Sequence, residues 1–170
     1  KSYEEVYHLL LRLKREFTQR SDAYKEAAAA KPDTDMDTFC AAEYGRIIVL
    51  IDDMGAFEDL IYNAENKESM KEIVTLFFEK GASRGICFMA GYPVGMEPNK
   101  LYLPASKAFL KYRTGIHIGG RVSEQRILEL SLPLAKQNER LPDNVGYASD
   151  HGMARQIYLP DKLGEEDGWI

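Results

Sequence analysis

Arg46-Ile-Ile-Val-Leu-Ile-Asp52-Asp53-Met-Gly55 is the stretch on which the reading of this chain turns. Five apolar residues, Ile47 to Ile51, run straight into two adjacent carboxylates. A continuous apolar run of this length marks a strand buried on both faces, as in a parallel sheet. In α/β folds the carboxyl ends of such strands face the ligand crevice. An acidic pair at that tip is the Walker B pattern, in which the first acid holds Mg²⁺ and the second polarises an attacking water. Its companion, G-x-x-x-x-G-K-[ST], occurs nowhere in the 170 residues, so the loop that would cradle phosphates is absent. The chain carries half of a nucleotide site, and no cofactor is expected to bind this segment by itself.

Outward from the acids, Ala56 to Tyr62 reads as a helical turn or two. Lys67 to Lys80 is a clearer helix, with Met70, Ile73, Val74 and Phe77 on one face and Gly81 past its end. Gly85-Ile-Cys-Phe-Met-Ala-Gly91 is a second continuous apolar run, again expected to be buried on both faces. A helix between two buried strands is a βαβ unit, which implies a parallel sheet and an α/β layer architecture.

Upstream, Ser2-Tyr-Glu-Glu5 is a capping box that starts a long helix. Val6, Leu10, Leu13, Phe17 and Tyr24 form its apolar stripe, and Lys14, Arg15, Glu16, Gln19 and Arg20 fall mostly off it, on a face expected to be wet. Lys31-Pro-Asp33 stops this helix, and a shorter one covers Asp37 to Tyr44 with Gly45 as its end signal. Downstream, Tyr92 to Lys100 is turn-rich, Ala105 to Tyr112 reads as a short helix, and Gly115 to Gly120 as a third strand. Ser123 is expected to cap a helix from Glu124 to Leu130. Val145 to Ala148 and Gln156 to Leu159 flank the turn Ser149-Asp-His-Gly152, a closing hairpin.

At 170 residues, 45% hydrophobic and 29% charged, the chain suits one soluble domain spanning 1–170. It begins Lys1-Ser2-Tyr3 already in helical pattern, which suggests a segment of a longer protein with the missing loop upstream. A net charge of −5 is a poor balance for wrapping a polyanion, so nucleic acid is disfavoured as the main partner. Cys40 and Cys87 have neither CxxC spacing nor histidine neighbours and read as small core residues in a reducing compartment. No apolar run reaches 18 residues and no signal peptide is present, so the segment itself does not span a membrane.

The order of these parts resembles the FtsK/SpoIIIE-like motor ATPases, and among them the last ATPase-like domain of the type VII secretion ATPases of the EssC or YukBA type. The resemblance is carried by the helix ending near Arg20, Ile48-Val-Leu-Ile-Asp-Asp53, Ala82-Ser-Arg-Gly-Ile-Cys-Phe-Met-Ala90, Gly119-Gly-Arg-Val122, Ile127-Leu-Glu-Leu130 and Leu141-Pro-Asp-Asn-Val-Gly146. It covers essentially the whole chain and leaves out the family's front part. It implies a RecA-like P-loop NTPase fold with a mainly parallel sheet and helices on both faces, lacking its N-terminal Walker A part and ending in a β-hairpin. It implies ATP and Mg²⁺ as the family's cofactors, Asp52 as the Mg²⁺-side nucleotide residue and Asp53 as the catalytic acid.

The same resemblance implies the cytoplasmic part of a membrane-anchored parent. Its partners would be small helical secreted proteins with a Trp-x-Gly turn and neighbouring ATPase modules, in a parent that assembles as a homo-oligomer such as a hexamer. The departures point to a degenerate module. Asp53 stands where motors carry Glu and reaches about 1.5 Å less far. Gly91-Tyr92 replaces a Thr-Gln-type sensor of the γ-phosphate, and Gln125 replaces an arginine. A regulatory or substrate-recognising module is therefore the leading reading. An active DNA translocase of the same superfamily and a non-catalytic adaptor are the rivals.

Each of these features also has a plain structural explanation. The acids would then be a solvated strand end or a helix cap. His117, between Ile116 and Ile118, reads as a hydrogen-bonded structural histidine, His151 as a turn residue, and His8 has no role. Arg113, Arg121 and Arg155 invite an arginine-finger role in trans, against which stand ordinary ion-paired surface arginines. Gly119-Gly120 is a strand-end turn rather than a phosphate-approaching loop. Gly164 to Asp167 is a solvated acidic tail, and Trp169 with Ile170 either docks on the domain or offers an anchor to a partner.

Overall fold

Residues 2–93, 107–108, 110–150 and 152–160 are described by the structure, a computed structural model. They fall into two compact units, one made by the described residues up to Pro93 together with those from Lys107 to Lys111, the other by those from Tyr112 onward.

The first unit opens with α1, Tyr3–Ala30, whose capping box forms as the sequence requires: Ser2 Oγ accepts from the Glu5 amide and the Glu5 carboxylate accepts from the Ser2 amide. α2, Met36–Tyr44, is capped by Asp35, whose carboxylate accepts from the Thr38 amide at 2.9 Å. β1, Ile47–Ile51, then delivers the acids. α3, Met54–Asn63, is longer than the turn or two expected, and α4, Lys67–Lys80, has the expected bounds. A 3₁₀ turn at Ala82–Arg84 leads into β2, Ile86–Ala90. β1 and β2 pair in parallel, Ile47 with Ile86 through Ile51 with Ala90, so the βαβ reading holds.

The core of this unit joins Leu10, Leu13 and Phe17 of α1, Met54 and Ile61 of α3, and Met70, Ile73, Val74, Phe77 and Phe78 of α4. Ile47, Val49, Ile51, Ile86, Phe88 and Ala90 of the sheet meet them. Burial on both faces, expected from the apolar runs, is not found. Ile48, Leu50 and Met89 on the opposite face are 61%, 73% and 58% exposed. The helices of the described residues cover one face, not two.

Arg20 also corrects the sequence reading. It is fully buried rather than wet. Its guanidinium donates to Glu16 Oε1 at 2.9 Å and, through one nitrogen, to the carbonyls of Gly45 and Arg84, each at 2.8 Å. It also lies over the Tyr44 ring, 5.2 Å from the centroid. The chain ends that precede both strands are thereby tied to α1. Gly85 takes a left-handed φ of 71° in the same spot, where a Cβ would come 2.9 Å from the Arg20 guanidinium.

In the second unit β3, Ile116–Arg121, forms where a third strand is expected, but it joins an antiparallel sheet of its own. Its partner is β4, Arg140–Asp150, which pairs in turn with β5, Met153–Tyr158, in the expected hairpin. The sheets are thus one parallel pair and one antiparallel trio rather than a mainly parallel sheet. The expected Glu124–Leu130 helix is absent. Ser123 lies inside a 3₁₀ turn, Val122–Glu124, and the Gln125 side chain holds the following segment open by accepting from the Ile127 and Leu128 amides and donating to the Leu128 carbonyl. A short α5, Leu134–Asn138, follows Pro133. Val122, Leu141, Val145 and Tyr147 form this unit's core. Of the Ala105–Tyr112 helix, Lys107, Ala108 and Leu110 are helical and Tyr112 is in a turn. Lys111 is in the same turn, while Ala105, Ser106 and Phe109, the loop from 94 to 100, His151 and the tail lie outside the described residues.

Replacing Arg20 by alanine removes the donor to two part-buried carbonyls and the partner of partly exposed Glu16, so unfolding in urea should show a loss of about 1.5–3 kcal/mol. Buried His117 supplies a pH signature. Burial lowers its pKa, against a hydrogen bond with the Gly119 backbone and the charge of Glu124, both of which raise it. The neutral ring is therefore the folded form. Its contribution is complete above the ordinary histidine pKa of about 6.5 and is lost as pH falls through the folded value. Thermal melts between about pH 8 and pH 5 should show that decline, and His117→Phe should flatten it.

Candidate functional site

β1 and β2 end side by side, and their carboxyl ends are joined by backbone. Met54 N donates to Gly91 O at 2.9 Å and Gly91 N to Ile51 O at 2.8 Å. A Cβ at position 91 would run into the Asp52 carbonyl oxygen, so this position needs glycine. That steric constraint explains why a side chain of the sensor type has no room there.

Asp52 and Asp53 sit at the tip, both exposed, where the sequence reading places them. Their roles differ. Asp53 is the N-cap of α3, and its Oδ1 accepts from the amides of Gly55 at 2.8 Å and Ala56 at 3.0 Å. A helix N-terminus is a ready anion site because its first amides are unpaired and its dipole is positive there. Here the chain's own carboxylate fills that position. Asp52 stands beside it with no such engagement.

Near this tip stand Glu58, which sequence reasoning missed, and Tyr92, which it named only for its place after Gly91. Glu58, on α3, is buried, at 4% exposure. Tyr92 follows Gly91, and its hydroxyl is buried without a hydrogen-bond partner among the described residues. Burial, and next the charge of Glu58, push the Tyr92 pKa well above the usual phenolic range. Glu58 falls four residues after Met54 in α3, a spacing that would have placed the two on one helical face had the helix been read at its full length.

Mg²⁺ and ATP do not fit these residues unaided. Asp52 offers a carboxylate, Asp53 has its Oδ1 engaged in capping, and no described group of three or more histidine, cysteine or acidic side chains is placed to hold a metal. No run of glycine-rich amides accompanies them.

The other candidates lie in the second unit. Arg121 pairs with Glu124 at 3.3 Å and Arg113 with Glu129 at 3.9 Å, while Arg155 lies opposite Ala148 on β5. The first two are ion-paired surface arginines. Gly119 and Gly120 have φ of 63° and 60° at a register shift in β3, a bulge within a sheet edge. His117 keeps its structural role, though its Nε2 is buried without a partner among the described residues. Both cysteines are free, Cys40 buried in the core and Cys87 half-buried on the sheet.

No protein-family model and no curated protein matches the chain. Solved structures do. The cytoplasmic domain of EssC superposes with a TM-score of 0.69 over 94% of this chain and 28% of its own, at 17% identity. EssC (ATPases 2 and 3) from Geobacillus thermodenitrificans gives 0.65 over 94% of this chain and 26% of its own, at 16% identity. The chain therefore shares the fold of an EssC-type ATPase-like region, as the order of its sequence parts suggested, and spans about a quarter of the length of each of those chains.

The cap assignment is tested by substitution. Asp53→Ala should cost about 1 kcal/mol in chemical denaturation, whereas Asp53→Asn, an equivalent cap, should be nearly neutral. Asp52→Ala should fall within about 0.5 kcal/mol of the parent.

Proposed function

We propose that this chain is part of a RecA-like, degenerate ATPase module of a type VII secretion motor, one that recognises secreted proteins and regulates its neighbouring modules. The supporting observation is the pairing of an EssC-like fold with a strand tip whose second acid caps a helix. A fold inherited from ATPases retains its shape and its recognition surfaces after the hydrolytic geometry has been spent on structure. No described helix is long and apolar enough to cross a membrane; in this reading the module works on the cytoplasmic side of an anchored parent.

The partners in this reading are small helical secreted proteins with a Trp-x-Gly turn and the ATPase modules next to it in the same polypeptide. Binding energy at this module shifts the assembly or activity of the others. Moving such an equilibrium from mostly off to mostly on needs about 5.5 kcal/mol of differential affinity, which requires an interface of ordinary protein–protein size. The −5 net charge weighs against a DNA track as the partner.

Titration calorimetry separates the alternatives. The chain should bind a small helical secreted protein of this kind and should bind Mg·ATP no more tightly than millimolar, with Asp52→Asn unchanged in both. Micromolar Mg·ATP binding with no affinity for the secreted protein would replace the recognition role with an enzymatic one.

A further inference from the structure

The antiparallel sheet packs on its core with one face only. The register places Ile116 beside Ala148 and Arg155, and Ile118 beside Gly146 and Ile157, so alternation along the strands sets these six on the face opposite His117 and Tyr147. Tyr147 belongs to the second unit's core and His117 is buried. On the other face Ile116 and Ile118 are 55% and 42% exposed, and neither they nor Ala148 and Ile157 belong to either core. An antiparallel sheet that meets water on one face normally carries polar residues there. Here the single charged residue of the six is Arg155, exposed on the edge strand β5.

The face thus combines a small apolar patch with a basic corner, and the chain holds a segment of complementary composition. Asp161 to Ile170 follows β5 directly and carries four acids against one lysine. It also carries the chain's only tryptophan, Trp169, next to Ile170. Ten extended residues reach about 33 Å, whereas the six residues of β5 span about 20 Å. A reversal at Pro160 therefore leaves length enough to return over the whole face, and one indole buries about 150–250 Å², which suits a patch of this size.

Other occupants fit less well. A second copy laid on this face about a two-fold axis brings Arg155 toward its own equivalent. Four apolar residues also fall far short of the roughly 800 Å² per partner of a stable interface. The bare face of the parallel sheet, made by Ile48, Leu50, Cys87 and Met89, offers the acids no basic residue.

We propose that the Ile116, Ile118 and Ile157 face is an intramolecular docking surface for Trp169 and Ile170, with Arg155 receiving the acids at 165–167. Any other protein that uses this face must first displace the segment. The contact goes beyond the functional reading above and does not depend on it.

Because Trp169 is the sole tryptophan, its fluorescence reads the contact directly in the 170-residue chain. Acrylamide is the quencher, since a neutral molecule is not repelled by the acids. The native chain should be quenched about threefold less steeply than the urea-unfolded chain, with its emission shifted to the blue. Ile118→Asp should bring both readings to their unfolded values while far-ultraviolet circular dichroism stays native. Arg155→Glu, an exposed change, should move both in the same direction, and it decides the matter if Ile118→Asp does not fold. Leu50→Asp, on the parallel sheet, should leave both unchanged. Native quenching as steep as in urea overturns the proposal, as does protection that survives both Ile118→Asp and Arg155→Glu. Protection lost in a folded Leu50→Asp variant overturns it by placing the tryptophan on the other sheet. Protection that disappears on dilution as the particle mass halves overturns it too, because the contact is then made by a second copy.

Discussion

One buried guanidinium sets the geometry of the first unit. Arg20 holds the carbonyls of Gly45 and Arg84, the first two residues before β1 and the second two residues before β2. Parallel strands have no tight turn to fix their register, because their connection is a whole crossover. Tying both entry points to one side chain of α1 supplies that missing constraint. Ile47 then donates to Gly85 O at 2.8 Å, and the five rungs that follow bring Ile51 level with Ala90. The positions of Asp52 and Gly91 at the far end are consequences of a contact made at the near end. Glu16 and the Tyr44 ring offset the desolvation of the cation, and without such partners a buried charge of this kind would be costly.

At the far end, one oxygen of the Asp53 carboxylate serves the start of α3. In a hydrolytic site the second acid must be free to orient water. Here Oδ1 of Asp53 is committed to two amides that α3 would otherwise leave unpaired. The engagement is local and inexpensive: a side chain one carbon shorter than glutamate reaches its own helix start without strain. A longer acid at this position would project past the amides. The substitution that weakens the catalytic resemblance is thus the same one that makes a good cap, and Gly91 closes the adjoining position by the approach of the Asp52 backbone.

What the sequence made legible were features decided within a few residues. The Ser2 capping box, the α4 bounds, the hairpin after Val145 and the two apolar runs as parallel strands all depend on local pattern, and all are present. What stayed hidden depends on contacts distant in sequence. Nothing near Arg20 signals that acceptors 25 and 64 positions away will bury it. Gln125 defeats a capped helix by hydrogen bonds that a helix-start pattern cannot reveal. The Gly115–Gly120 run was readable as a strand, but its sheet was not, because the partner in β4 decides the direction of pairing. Of the candidate site, the position of the two acids was legible and the division of labour between them was not.

The bare face shows what an apolar run does and does not encode. Ile47 through Ile51 carries no polar residue at the positions that would alternate toward water. In a strand that evolved with one wet face, isoleucine and leucine at 48 and 50 would bring solubility and aggregation penalties without any gain in packing. They are nonetheless exposed, Ile48 at 61% and Leu50 at 73%. Within the described residues only one cover exists. The expectation of double burial erred about these residues as a folded unit, yet the property it rested on, continuous hydrophobicity at the centre of a parallel sheet, stands unchanged. The discrepancy has a local cause: α1, α3 and α4 all pack on the face of Ile47, Val49 and Ile51, which leaves Ile48, Leu50 and Met89 exposed.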